Sequence, residues 1–260
     1  MSELIKSVIK TSEIIALINK KKQVSLNDLT IESGFPKPTV HRILATLSHI
    51  GYVQFDSNAQ LYSLGTQLIH IARNAVAGMT IIDLAKPRMQ ILRELFKETV
   101  NLARLVHNKA VFVHIDETRH AFRYVDHIGD PAALHSTAVG KVLLAFMQPT
   151  IVDTILKDYQ YTSYTKTTIS TREELDAQLL KIRKLGLAHD DEEGTEGVIC
   201  LAVPIFNADH LITGALSISI PKIRSSRKLL SEIEQELPKV GTRLSLDLGV
   251  TDIRKCYTVG

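Results

Sequence analysis

The sequence predicts an α+β protein with two domains: a small helical module closed by a hairpin, then a larger domain built on a mixed sheet. Three observations predict it. Helical spacing of apolar residues dominates the first fifth of the chain, strand-like runs of the larger domain begin only at Thr99, and 260 residues suit one large or two modest domains. With 45 % hydrophobic and 23 % charged residues, the composition is that of a packed chain and excludes wholesale disorder.

Apolar spacing and cap residues predict three helices in the N-terminal module, over residues 4–19, 26–33 and 38–50. Ser25 stands three residues before an acid, which is the spacing of a capping box at the start of the second helix. Gly51 suits the left-handed position that ends the third helix. Each helix is therefore predicted from a start or stop signal as well as from its apolar face.

Two strand-like runs, 52–55 and 60–64, follow the third helix and are joined by a polar turn. Three helices followed by a hairpin is the order of a winged helix-turn-helix. The net charge of +3 is concentrated in this part of the chain, because residues 1–54 hold seven Lys or Arg and only four acids. A basic module joined to a neutral body suggests a nucleic-acid reader attached to another function.

The second domain is predicted from strand-like runs that are interspersed with segments of helical apolar spacing. Before it, an apolar stripe from Leu68 to Val76 predicts a linker helix. This stripe suits a dimer interface and packing against its own domain equally well. Strands are predicted at 99–106, 110–117, 122–126, 198–206 and 213–220, and helices at 137–147, 150–157, 172–185 and 225–248. The expected divisions of the chain are 1–66 for the first domain, 67–80 for the linker helix, 81–252 for the second domain and 253–260 for a tail.

Four segments, in order, resemble the IclR family of bacterial transcriptional regulators between about Ile5 and Gly249. They are Pro36–Leu44 with Gly51-Tyr52-Val53, then Tyr62–Gly65, then Leu134–Ala145, then Asp190–Glu193 with Gly197 and Cys200–Phe206. The resemblance implies a winged helix-turn-helix, a linker helix and a GAF-like effector-binding domain. It also implies a homodimer or homotetramer that binds palindromic double-stranded operator DNA, and a small acid as effector.

The third helix is the predicted DNA-reading element, since a recognition helix places its first turns in the major groove. Arg42 is the strongest candidate for a contact with a base or a phosphate, and Lys37 is the candidate for a contact with the DNA backbone. The alternative is that these side chains only form a solvated helix face. The predicted DNA-binding residues are Ser25, Lys37, Pro38, Thr39, His41 and Arg42.

The resemblance implies an effector pocket, and the matching positions here are Ala138, Val139, Asp190, Cys200, Ser217 and Ser219. A carboxylate ligand suits the start of the helix at Ala138, where free N–H groups and the helix dipole favour an anion. Ser217 and Ser219 alternate on a strand and share a face. Tyr124 and Ala132 are weaker candidates for the pocket wall. The competing interpretation makes Cys200 a core residue, the serines partners of the backbone, and the acids a solvated loop.

An enzyme and a protein-interaction adaptor on the same fold are the alternative functions. The sequence has no Gly-x-Ser-x-Gly elbow, phosphate-binding glycine loop or His-Glu-x-x-His motif, so no catalytic residue and no cofactor are predicted. Five histidines between His107 and His135 lie six to eight residues apart, which fits no usual local metal pair, and no metal site is predicted.

The expected setting is the cytoplasm. Two widely separated cysteines suit a reducing compartment, and the longest apolar run, Val198–Phe206, is about half of the ~20 residues that a membrane helix needs. The N-terminus shows no secretory signal. Together with the resemblance, this predicts a repressor of a catabolic operon whose operator binding responds to a small carboxylate metabolite, with a sugar acid as the example.

Overall fold

In the computed structural model, residues 4–71 and 80–257 are described, with only the backbone of Thr80. The chain divides into two compact units, Met1–Met79 and Thr80–Gly260. The first unit holds α1 (Lys6–Lys21), α2 (Leu26–Ser33) and α3 (Lys37–His49), followed by the antiparallel pair β1 (Val53–Asp56) and β2 (Leu61–Leu64). The three helices and hairpin predicted from the sequence are therefore confirmed.

The first unit closes around a small apolar core. Ile14 and Ile18 of α1, Leu29 of α2, and Val40 and Leu44 of α3 are buried against one another. The Ser25 hydroxyl accepts a hydrogen bond from the Asp28 amide at 3.2 Å, and Ser25 therefore caps α2 as predicted. Because α3 buries one apolar side only, its polar side is left to solvent.

The second unit is a six-stranded antiparallel sheet covered by helices. The strands are β3 (Thr99–Val106), β4 (Lys109–Asp116), β5 (Pro131–Ala132), β6 (Ala188–Asp191), β7 (Val198–Phe206) and β8 (Ile212–Pro221). Their order in the sheet is β5-β4-β3-β8-β7-β6. The helices are α4 (Thr80–Phe96), α5 (Ala138–Ala145), α6 (Pro149–Leu156), α7 (Arg172–Leu185) and α8 (Arg227–Asp247).

Helix α5 is the centre of this unit, since all eight of its residues are buried. It packs on β7, β8 and α7. Alternate residues of β7 face opposite sides of the sheet, so Ala202 joins the core around α5 while Val203 contacts Gly241 of α8 on the other side. Gly140 allows the close approach of α5 to the preceding loop, because a Cβ there would lie 2.5 Å from the Ala133 carbonyl oxygen.

Four predictions for this unit are wrong or incomplete. The sheet predicted as mixed is wrong in its strand directions, since all five of its strand pairs are antiparallel. The strand predicted at 122–126 is absent, and the described residues 117–130 contain no strand. The two edge strands β5 and β6 were missed because they are short and carry no clear alternation of apolar residues. The residues assigned to a tail pack in part, since Ile253–Tyr257 form a 3-10 turn whose Cys256 is fully buried.

The predicted linker helix falls mostly outside the described residues. Residues 67–71 are helical, whereas 72–79 lie outside the described part of the chain. Pro87 lies inside α4. In the parts of the chain that the structure describes, no helix has the length and apolar character to cross a membrane.

Candidate functional site

The first candidate site is the outer side of α3. Lys37, Pro38, His41 and Arg42 are exposed there and Thr39 is partly exposed. The helix starts without a side-chain cap and without an acid in its first turn. No acid of the first turn therefore offsets the positive dipole end or Lys37, which favours a phosphate or the acceptor edge of a base.

Ser25 lies in a different environment. Its hydroxyl donates to Asp28 Oδ2 at 2.7 Å and accepts from the Asp28 amide. The Asp28 carboxylate therefore already occupies the start of α2 and opposes a second anion there. Of the six residues predicted to bind DNA, Ser25 is the one with a structural task of its own.

A shallow groove of about 430 Å³ between α1 and α3 adds cations that the sequence analysis did not select. Lys6 and Lys10 of α1 line it together with Arg42, Thr39 and Thr46 of α3. Lys10 also lies over the Phe35 ring, with its ammonium 5.1 Å from the ring centroid. The positive surface of α3 therefore continues onto α1, a continuity that depends on how the two helices pack.

The second candidate site is a cavity of about 300 Å³ in the second unit. It brings together all six residues predicted for the effector pocket and both weaker candidates, Tyr124 and Ala132. These come from the start of α5, from β5 to β8 and from the loop before β5. The cavity is also lined by polar residues that the sequence analysis missed: Asp126, Ser136, Thr137, Tyr164 and Thr195.

The start of α5 gives the cavity its donors. Thr137 caps the helix by accepting from the Gly140 amide at 3.1 Å, and the first turn contains no acid. The amides of Ala138 and Val139 open the helix, where an α-helix has no internal acceptor for its N–H groups. Both residues line the cavity, so these amides can receive an anion.

The cavity is also lined by two aspartates whose pKa values are raised. Burial raises the pKa of Asp190 to about 7 and that of Asp126 to about 6. Asp190 Oδ1 accepts from the amides of Glu193 and Gly194, at 2.7 and 3.3 Å. Both groups therefore titrate close to neutral pH, which is far above the ordinary range of an aspartate.

Behind the cavity, the sheet residues are tied to one another. The Ser219 hydroxyl accepts from Asn101 Nδ2 at 2.9 Å and from the Cys200 thiol at 3.3 Å. Burial raises the pKa of the Cys200 thiol well above its usual value, so the group stays protonated near neutral pH. Ser219 and Cys200 therefore hold the wall in place as well as lining it.

Ser136 is a missed residue with an open hydrogen-bonding capacity. It is fully buried, lines the cavity, and its hydroxyl has no partner among the described residues. A buried hydroxyl without a partner is costly, and a ligand in the cavity would supply that partner. The position lies inside the Leu134–Ala145 motif, so the sequence offered a signal, but only packing shows where the hydroxyl lies.

Ser136→Ala is expected to change binding and stability in opposite directions. The variant removes an unsatisfied polar group, so the ligand-free chain should unfold at an equal or higher temperature. The affinity for a cavity ligand should fall by about 0.5–1.5 kcal/mol, the value of one neutral hydrogen bond. Differential scanning calorimetry and titration calorimetry measure the two effects; a lower melting temperature with unchanged affinity would contradict this assignment.

A metal site is not apparent. In 4–71 and 80–257, no three His, Cys, Asp or Glu side chains are grouped so that they could hold a metal ion. The histidines of the 107–135 region have separate surroundings. His135, for example, is buried among tyrosines, where burial lowers its pKa and its ring nitrogens contact Tyr159 Oη and the Thr162 carbonyl oxygen.

Comparisons with known proteins match both units. The family model described as "IclR helix-turn-helix domain" matches residues 7–57, and "Bacterial transcriptional regulator IclR C-terminal" matches residues 73–246. The HTH-type transcriptional regulator KdgR of Escherichia coli (strain K12) is 32 % identical over 248 residues, which cover 95 % of this chain and 94 % of that protein. The regulator XynR of the same organism is 31 % identical, with 95 % and 98 % covered.

Solved structures agree with this result. A putative ICLR transcriptional regulator from Silicibacter sp. TM1040 superposes with a TM-score of 0.80 at 27 % identity, over 94 % of this chain and 97 % of that one. The Thermotoga maritima IclR gives a TM-score of 0.76 at 26 % identity, over 94 % and 98 %. The C-terminal domain of E. coli KdgR is 34 % identical with a TM-score of 0.60, and covers 66 % of this chain and 99 % of its own.

Proposed function

Because the chain belongs to the IclR family of bacterial transcriptional regulators, and is therefore a DNA-binding regulator and not an enzyme, we propose that it represses a catabolic operon and that a small carboxylate modulates its operator binding. The outer side of α3 binds the operator, and the cavity at the start of α5 binds the effector. The effector class that we propose is a sugar acid.

One observation carries the effector class: the open end of α5 lies in a cavity whose other polar groups suit hydroxyls. The amides of Ala138 and Val139 suit a carboxylate. Ser217, Thr195 and Asp126 line the same cavity and can exchange hydrogen bonds with ligand hydroxyls. A volume of about 300 Å³ lies at the small end of ligand pockets, which favours a metabolite over a larger molecule.

Operator binding is proposed to require two or four copies of the chain in the cytoplasm. A single DNA-binding module usually buries too little surface for a tight and specific site. A second copy doubles the contacts, and the twofold symmetry of a dimer is then repeated in the operator. The effector changes the balance between arrangements that bind the operator and arrangements that do not, with a coupling of about 1–3 kcal/mol.

The proposal is tested by footprinting the intact protein on the DNA upstream of the adjoining genes, with and without a panel of sugar acids. We expect a protected palindrome and a midpoint of protection that moves at least about fivefold with one of the acids. Binding isotherms measured at several salt concentrations should show that the operator affinity falls steeply as salt rises, because phosphate contacts release counterions. Absence of any protected stretch would contradict the proposed function.

Asp190→Ala and Ser217→Ala are expected to abolish the response to the acid while the operator is still bound. Both side chains are buried and line the cavity, and neither belongs to the DNA-binding unit. Ser217 is preferred to Ser219 for this test, because removing the Ser219 hydroxyl would also strand Asn101. Ser231→Ala, on the exposed side of α8, is the matched control and should respond normally. A normal response in both cavity variants would remove them from the effector site.

A further inference from the structure

The side chains that line the cavity are acidic, which opposes the binding of an ionised carboxylate ligand. Among the described residues, its lining contains the two carboxyls of Asp126 and Asp190 and no basic side chain. Asp190 lies beside the anion-favouring end of α5: a Cβ on Gly194 would be 3.4 Å from both Asp190 Oδ2 and the Ser136 carbonyl oxygen. An ionised effector bound at this helix end would therefore meet the carboxyl of Asp190.

The lysine whose charge acts on Asp190 is already paired with another acid. Lys141 of α5 is fully buried, and its ammonium lies 2.6 Å from both carboxylate oxygens of Glu193. The remaining titratable residues around Asp190 are Cys200, its partner across β6 and β7, and Asp126 and Tyr124, which line the same cavity. None of these supplies a positive charge, so Asp190 has no counter-charge of its own.

The two oxygens of Asp190 have different tasks. Oδ1 accepts from two backbone amides, which fixes the carboxyl in place. Oδ2 makes neither of these bonds and lies near Ser136, just before the start of α5. A proton on Oδ2 leaves both bonds of Oδ1 intact and turns Asp190 into a donor, which can form a short hydrogen bond to a carboxylate.

We propose that the cavity binds the carboxylate of its effector together with one proton, which Asp190 holds on Oδ2 and donates to an effector oxygen. The proton comes from solvent, and the pair then carries one negative charge that the amides of Ala138 and Val139 stabilise. This inference rests on the proposed function. The burial that raises the pKa of Asp190 supports the shared proton, because the carboxyl then retains a proton near neutral pH at a small cost in free energy.

The consequence is a regulator whose sensitivity to its effector depends on pH. Below the pKa of Asp190, which is about 7, the donor form is already present and binding takes up little proton. Above it, each binding event must first protonate the carboxylate. Affinity is therefore expected to fall about tenfold between pH 6 and pH 8.

Titration calorimetry of the full-length protein with D-gluconate tests this, in buffers of different ionisation enthalpy and with sorbitol as the neutral control. We expect uptake of close to one proton per gluconate at pH 8 and little at pH 6. Asp190→Asn keeps an acceptor for the two amides and a donor for the effector without needing a proton. It should bind with no pH dependence and no uptake, whereas Asp209→Asn, which changes an exposed carboxyl outside the cavity, should retain both.

A measurement without ligand keeps the inference falsifiable if Asp190→Asn binds poorly for another reason. Because the folded pKa lies above the unfolded one, the wild-type stability contributed by a protonated Asp190 is present at low pH and is lost as pH rises through about 7. The melting temperature of Asp190→Asn relative to wild type should therefore be higher at pH 8 than at pH 5.

The outcomes separate the two proposals. Gluconate or another sugar acid that binds without proton uptake, or an equal melting-temperature difference at pH 5 and pH 8, would overturn the shared proton and leave the effector class standing. A preference for sorbitol over gluconate, or no binding by any sugar acid, would overturn the effector class and the shared proton with it.

Discussion

Arg42→Ala is expected to weaken operator binding by about 1–3 kcal/mol, or roughly 5- to 150-fold, with no loss of thermal stability. Arg42 is exposed on α3 and lines the groove that also holds Lys6 and Lys10. The core side of the same helix, with Val40 and Leu44, is untouched by the change. Mobility-shift titration of the full chain on its footprinted operator, at one stated salt concentration, measures the effect.

Two comparison variants show whether the loss belongs to this surface. Arg243→Ala removes an exposed arginine from α8 in the other unit and should leave operator affinity unchanged. Lys10→Ala should weaken binding to specific and unrelated DNA alike, and should reduce the salt slope by about one. Equal affinities for wild type and Arg42→Ala would remove α3 from the interface.

Lys141→Met is expected to lower the free energy of unfolding by about 3–5 kcal/mol, the usual cost of removing one partner from a buried ion pair. Lys141 is fully buried, and Glu193 is nearly so. Without the ammonium, Glu193 stays buried next to Asp190 with no counter-charge. At about 2–4 °C per kcal/mol for a domain of this size, the melting temperature should fall by roughly 6–20 °C.

A double variant distinguishes the lost charge pair from simple damage to the core. Lys141→Met with Glu193→Gln leaves no unpaired charge, so it should regain most of the stability that Lys141→Met loses. Arg172→Met breaks partly exposed pairs with Asp153 and Asp176 and should cost less than about 1 kcal/mol. A double variant as unstable as Lys141→Met alone would show that the ion pair is not the cause.

Local signals account for the elements that the sequence predicts to the residue. Helix α7 has Thr171 as its cap and the left-handed Gly186 at its end, and strand β7 is a continuous apolar run. The error at 122–126 has the opposite origin. Apolar residues such as Phe122 favour a strand there, yet Phe122 is exposed, while Tyr124 and Asp126 line the cavity wall instead of pairing with a neighbour.

The sequence by itself determined the order of the elements, the polar outer side of α3 and, through motifs in a fixed order, the six positions that meet at the cavity. The tertiary structure alone decided the chemistry of that cavity. Lys141 and Glu193 are 52 residues apart, and Asp126, Ser136 and Asp190 lie on three separate segments. Periodicity reports only which side of one element is buried, whereas the charge and the pKa of a buried group depend on which distant segments enclose it.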